Sequence, residues 1–161
     1  MSHARGEYLE ALHHTQRCLD LNRAADYPLG IANALNNVGW RHAQLGNYDD
    51  ALRFCLAGLR LTQRIGDRSV EAITWDSIGY VQHRQSRYAE AIASYERALE
   101  LIEDTGESQL EGAFRMRLGD AHMAAGAVDA ARATWRQALT IFDDLAHPEA
   151  DAVRALLDEA R

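Results

Sequence analysis

The side chains of this 161-residue sequence whose types could do chemistry are two cysteines, seven histidines and several adjacent acids. Their spacing argues against metal binding and against nucleophilic catalysis. No HExxH or paired Cys/His ligand spacing occurs, and His13 and His14, as helix neighbours, point about 100° apart. His42 and His122 share one phase of an internal repeat, so packing accounts for them. No serine stands in a GxSxG elbow. Asp49-Asp50 and Asp143-Asp144 fall near expected helix ends, where they face water or complement the helix dipole. All 17 basic residues are arginine, which removes Schiff-base and phosphate-loop lysines and points to a GC-rich genome. The expectation is a protein with no catalytic residues, no cofactor and no metal.

Composition agrees with a binding protein. A hydrophobic content of 47% with 25% charged residues is that of a globular chain, and two prolines among many Ala, Leu, Glu and Arg favour helices. A net charge of -7 argues against direct nucleic-acid contact, which needs a basic face. Cys18 and Cys55 occupy non-equivalent places on expected helices and form no CxxC, so both are expected to be reduced packing residues. The opening MSHARGEYLEALHH lacks the apolar run of a secretory signal, and no stretch of about 18 apolar residues could span a membrane. A cytoplasmic location is expected.

The elements that must position any site are set by a 40-residue repeat. Gly39, Gly79 and Gly119 coincide at this offset, as do Ala51, Ala91 and Ala131, Leu59, Leu99 and Leu139, and Tyr8, Tyr48 and Tyr88. Cys55, Tyr95 and Trp135 share a further place. Each repeat reads as an αα-hairpin, turning at Leu45-Gly46-Asn47, Gln85-Ser86-Arg87 and Ala125-Gly126-Ala127. Breaks at Gly66 and Gly106 separate the repeats. Helices are expected over 7–25, 29–45, 48–65, 68–85, 88–104, 108–125 and 128–145, with a last one opened by Pro148. The glycines inside helices each cost about 0.5 to 1 kcal/mol against alanine. Close approach to an alanine on the partner helix is the expected compensation.

These residues resemble the tetratricopeptide repeat. Val38-Gly39, Ile78-Gly79 and Leu118-Gly119 stand for its Leu-Gly, followed by Ala51, Ala91 or Ala131 and by Gly58, Ala98 or Ala138. The chain departs from the pattern in having His42, Gln82 and His122 for the tyrosine, in lacking the closing proline, and in its longer period. The implied fold is all-α, a right-handed α-solenoid of antiparallel helix pairs. One domain over 1–161 is expected, with a second helix of an incomplete first repeat (1–27), complete repeats at 28–66, 67–106 and 107–146, and a capping helix at 147–161. ALNNVGW, TWDSIGYVQHRQSRYAEAIASYERAL and LGDAHMAAGAVDAARATWRQALTIFDDLAHPEADAVRALL are similar to the C-terminal repeat domain of large actinobacterial antibiotic-regulatory activators. In that family the repeats follow a winged-helix domain, a transcriptional activation domain and a nucleotide-binding module. The resemblance implies a sensory or autoinhibitory part of a longer regulator. The sequence holds no GxxxxGK[ST] and no basic recognition helix.

Thr15 stands at the place of Cys55, and the first repeat lacks its first helix, so the array is expected either to be cut from a longer one or to pair with a second copy. Ala150, Val153, Leu156, Leu157 and Ala160 form the apolar stripe of the capping helix, and Glu159 replaces the repeat glycine. By the resemblance, first helices line a groove for a protein or peptide segment. The corresponding positions are Asn33, Asn36, Asn37 and Trp40; Ile73, Asp76, Ser77, Tyr80, His83 and Arg84; and Met116, Arg117, Asp120 and Met123. Asparagine amides suit a peptide backbone, Trp40 and Tyr80 offer rigid apolar area, and Arg84 and Arg117 could hold a carboxylate. The alternative is that Trp40 and Tyr80 are packing residues and that the asparagines are solvated or bonded between helices. Three roles remain open: the sensory domain of a regulator, a freestanding peptide sensor, and a homo-oligomeric scaffold.

Overall fold

The computed structural model describes residues 3–103 and 105–160, with side chains from residue 6 onward. Eight α-helices and no strand occur among the described residues: α1 (His3–Ala24), α2 (Pro28–Gln44), α3 (Tyr48–Ile65), α4 (Arg68–Arg84), α5 (Tyr88–Ile102), α6 (Ser108–Ala124), α7 (Val128–Asp144) and α8 (Glu149–Glu159). The all-α class and the helix pairs read from the repeat are therefore present. Two boundaries differ from expectation by more than one residue. Helix α1 begins at His3 rather than at 7, and α5 stops at Ile102, its expected end at 104 lying outside the described residues. No helix of the described residues is long and apolar enough to cross a membrane.

The helix ends explain why the hairpins form where they do. Helices α2, α4 and α6 close with one arrangement of backbone bonds. The amides of Asn47, Arg87 and Ala127 donate to His42, Gln82 and His122 five residues back, and those of Gly46, Ser86 and Gly126 to Ala43, His83 and Met123. This double closure satisfies carbonyls that the helix leaves open and needs a left-handed residue before the turn ends. Gly46 and Gly126 adopt φ near 80° freely, whereas Ser86 adopts φ 61° against a steric cost. At the opposite end of α4, the Asp67 carboxylate accepts from the Val70 amide at 3.0 Å, capping the first turn.

Residues 1–81 and 82–161 form two compact halves, dividing within α4. In the first half, Leu19 of α1 packs with Ala34, Leu35 and Val38 of α2, and Phe54 and Ala57 of α3 lie against them. A second cluster joins Cys55 and Leu59 of α3 to Ile78 of α4. In the second half, Ala91 and Tyr95 of α5 pack on Leu118 and Ala121 of α6. Trp135, Ala138 and Phe142 of α7 pack on Ala150 and Val153 of α8. The apolar stripe expected on α8 is thus seated in this core.

Gly39 and Gly119 make space, and at Gly39 the backbones approach at the alanine as expected, with a side chain one turn further on also entering the gap. A Cβ on Gly39 would stand 2.5 Å from Cys55 Sγ and 2.9 Å from the Ala51 carbonyl oxygen. A Cβ on Gly119 would stand 2.3 Å from Trp135 Cδ1. At Gly39 and Gly119 the place held by Cys55 and Trp135 supplies the occupant, because it lies one helical turn beyond the alanine on the same face.

Candidate functional site

Positions on one face of a helix recur every three or four residues, yet neighbouring helices cover only part of each face. In the first half, α2 leaves Asn33 and Asn37 exposed and buries Asn36. The Cys55 thiol donates to Asn36 Oδ1 at 3.8 Å, so this amide joins α2 to α3. Cys55 is itself fully buried, and loss of hydration pushes its thiol up to about 12. Cys18, expected to be a packing residue, is exposed on α1.

Trp40 of α2 lies over Tyr80 of α4, with ring centroids 4.4 Å apart and planes tilted by 33°. Both are half-buried, and Tyr80 also rests on the Ala43, Ala51 and Val81 cluster. Packing and surface roles therefore meet in one ring pair. Ile73 is half-buried, whereas Asp76 and Ser77 are buried, and the Ser77 hydroxyl donates to the Ile73 carbonyl at 3.1 Å. Of the polar and aromatic first-half positions in the groove set, Asn33 and Asn37 are exposed and Trp40 and Tyr80 half-exposed, while Asn36, Asp76 and Ser77 are buried.

The second half has a charged face. Arg84 is exposed, and His83, Arg117 and Asp120 are half-buried. The His83 ring stands edge-on to Tyr88, centroids 5.5 Å apart. Asp120 Oδ1 accepts from the Trp135 indole N–H at 3.1 Å, a donor shared with the Met116 carbonyl at 3.2 Å. Burial raises the Asp120 pKa above its ordinary value, against the lowering effects of the indole bond and of the His83 and Arg117 charges. Burial also lowers His83, with Asp120 pulling the other way and Arg84 adding to the fall. Met116 and Met123 rest against the α7–α8 core.

Trp135 is the residue that spacing did not reveal as part of this face. Its signal was chemical: among Cys55, Tyr95 and Trp135 it alone carries an indole donor, and Asp120 precedes it at the hairpin-crossing distance.

Residues 42–104, spanning the end of α2 through the end of α5, match the tetratricopeptide repeat family. The chain is 30% identical over 115 residues to the regulatory protein AfsR of Streptomyces griseus, an alignment covering 71% of this chain and 12% of that protein. It therefore spans about an eighth of that relative's length. Among solved structures, BtubC (BKLC) from P. vanneervenii superposes with a TM-score of 0.74 at 21% identity, covering 89% of this chain and 60% of the other. The Podosopora anserina putative kinesin light chain with nearly identical TPR-like repeats gives a TM-score of 0.74 at 15% identity, over 96% of this chain and 78% of the other. These structural likenesses show the tetratricopeptide-like fold.

Proposed function

We propose that this chain is the sensory and interaction domain of a multidomain transcriptional regulator, working in the cytoplasm by holding a protein or peptide segment on its first-helix faces. It catalyses no reaction and touches neither nucleic acid nor membrane in this role. The observation that carries the binding face is the half-buried Trp40–Tyr80 ring pair flanked by the exposed amides of Asn33 and Asn37. Rings supply area at little entropic cost, and each amide offers donors and an acceptor to a peptide backbone whatever its side chains. The second half carries a face of its own, with Arg84 and Arg117 for a carboxylate and His83 and Asp120 beside them. The likeness to AfsR supports the regulatory setting.

Selection of a displayed peptide library on the chain, followed by calorimetry of the selected peptides, tests the face. Asn37→Ala and Tyr80→Ala are expected to weaken binding by at least about tenfold, roughly 1.4 kcal/mol; unchanged affinity in both removes this face. The coding frame upstream tests the setting: a nucleotide-binding module in frame supports it, and a stop codon directly before Met1 removes it. A homo-oligomeric scaffold is favoured by a separate observation, the exposure of Tyr8, Leu9, Leu21 and Tyr27 on and just after α1. Light scattering that gives a monomer at every concentration dismisses that reading.

A further inference from the structure

One place in the repeat changes from apolar to cationic in its last copy. Leu52 and Ile92 hold equivalent positions, and both pack into apolar clusters, Leu52 with Cys55 and Ile78, Ile92 with Tyr95 and Leu118. The third occupant is Arg132. One turn further on, Leu56 and Glu96 are followed by Arg136. The two arginines stand at i and i+4 on α7, on one helical face, where like charges oppose each other. They border an open notch of about 430 Å³ whose other walls are Leu157 and Asp158 of α8. The whole notch lies within the second half, and none of its lining residues belongs to the first-helix faces.

The charges in this notch are poorly compensated by the protein. The Arg132 side chain is only 28% exposed, and its ion pair is with Asp129 at 3.9 Å, a side chain that is fully exposed. An ion pair of that length and exposure returns little of the hydration that a partly covered guanidinium gives up. Arg136 makes no ion pair and no side-chain hydrogen bond among the described residues. A position that holds leucine or isoleucine in the other repeats therefore carries a charge, in a chain whose net charge is -7, and its ion pair is the long, exposed one with Asp129.

We propose that this notch is a second binding site, which takes a side-chain carboxylate of an acidic peptide segment. The carboxylate bridges the Arg132 and Arg136 guanidinium groups, whose planar forks match its two oxygens. An apolar side chain next to it in the peptide rests on Leu157. Asp158 on the same rim disfavours a second acid on that side, so the recognised pattern is one acid beside an apolar residue rather than a run of acids.

Nitrogen-15 NMR of the arginine side chains in the intact chain tests this with three probes: the blocked peptide N-acetyl-Leu-Glu-Leu-amide, its glutamine counterpart, and inorganic phosphate. Saturable shifts of the Arg132 and Arg136 Nε signals are expected with the acidic peptide, at least about tenfold weaker with the glutamine form. Arg132→Leu, which restores the residue of the first repeat, should abolish the shift at Arg136 while leaving Tm equal or higher, and Arg136→Gln should weaken binding similarly. Equal binding of the glutamine peptide overturns the proposal. So does phosphate binding as tightly as the peptide, or a fall in Tm on Arg132→Leu, which would make that arginine a structural group. Tyr80→Ala should leave these shifts intact, so failure here and failure of the first-helix face are read separately.

Discussion

Residues 40 and 55 in the first half and 120 and 135 in the second hold the same places in the repeat, yet the large ring changes sides between them. In the first half Trp40 lies on the first-helix face, and the small Cys55 fills the notch at Gly39. In the second, Asp120 takes the place of the ring, and Trp135 fills the notch at Gly119 from behind. A missing side chain on the first helix thus accepts either a thiol or an indole. The filling chosen accompanies an aromatic surface in one case and a charged one in the other.

Truncating the two fillings should separate the halves most sharply. Trp135→Ala removes a buried ring and should cost about 3 to 5 kcal/mol, while Cys55→Ala, which deletes one sulfur, should cost on the order of 1 kcal/mol; urea denaturation measures both. Comparable losses would mean that the notch is not filled as described. Next in size is Gly119→Ala, whose new methyl group collides with the indole. Overpacking of this kind costs about 1 to 3 kcal/mol and should break the Asp120 contact, visible in near-ultraviolet circular dichroism.

Trp135→Phe keeps a ring and deletes the donor. It leaves the buried ends of that bond unpaired, at a cost of about 1 to 3 kcal/mol. Because the indole bond lowers the Asp120 pKa, its loss should move that pKa further up in a carbon-detected NMR titration. A carboxyl raised in the folded state favours folding fully below its unfolded value and loses that contribution as pH rises through the folded value. Trp135→Phe should therefore extend this loss to higher pH.

Acidification probes both halves through histidine. His42 stacks on Phe54, centroids 5.3 Å apart, and its Nδ1 is buried without a hydrogen-bond partner among the described residues. Burial lowers its pKa, with Arg53 adding to the fall and Asp50 opposing it. His83 is lowered by burial too. Groups lowered in this way hold their full contribution above the unfolded value of about 6.5 and lose it as pH falls through the folded value. Tm should drop between about pH 7 and pH 5, and His42→Gln, the residue type at the matching position 82, should flatten the first-half share of that drop. A slope unchanged in His42→Gln would assign it elsewhere. The smallest effect belongs to the turns: Ser86→Gly relieves a left-handed serine and should stabilise by about 1 kcal/mol at most, whereas Gly46 and Gly126 already occupy that conformation freely.

Much of the fold could be read from residue spacing because the period, the turn glycines and the alanines report on backbone geometry, which sequence encodes locally. The depth of each groove position could not. Asn36 and Asn37 are adjacent and identical in chemistry, yet one is bonded to the Cys55 thiol and the other is exposed. A spacing of three and four names a face of a helix, while the approach of the neighbouring helix decides which edge of that face closes. The same reason hid the notch fillings. Alanine marks the point of closest helix approach, but the group entering the space extends from a residue one turn further along. Cys18 escaped for a related cause: a small, usually buried residue type gives no sign of which side of α1 is covered.

The contrast between the two thiols gives the molecule a built-in clock. An exposed cysteine accepts a maleimide dye or spin label at once, whereas a thiol held near 12 and sealed from solvent reacts only when the helices around it part. Cys18 is then a one-site handle that requires no substitution elsewhere. The much slower modification of Cys55 times the opening of the α2–α3 hairpin, and a ligand that clasps the Trp40–Tyr80 rings should slow that tick in proportion to how firmly it holds.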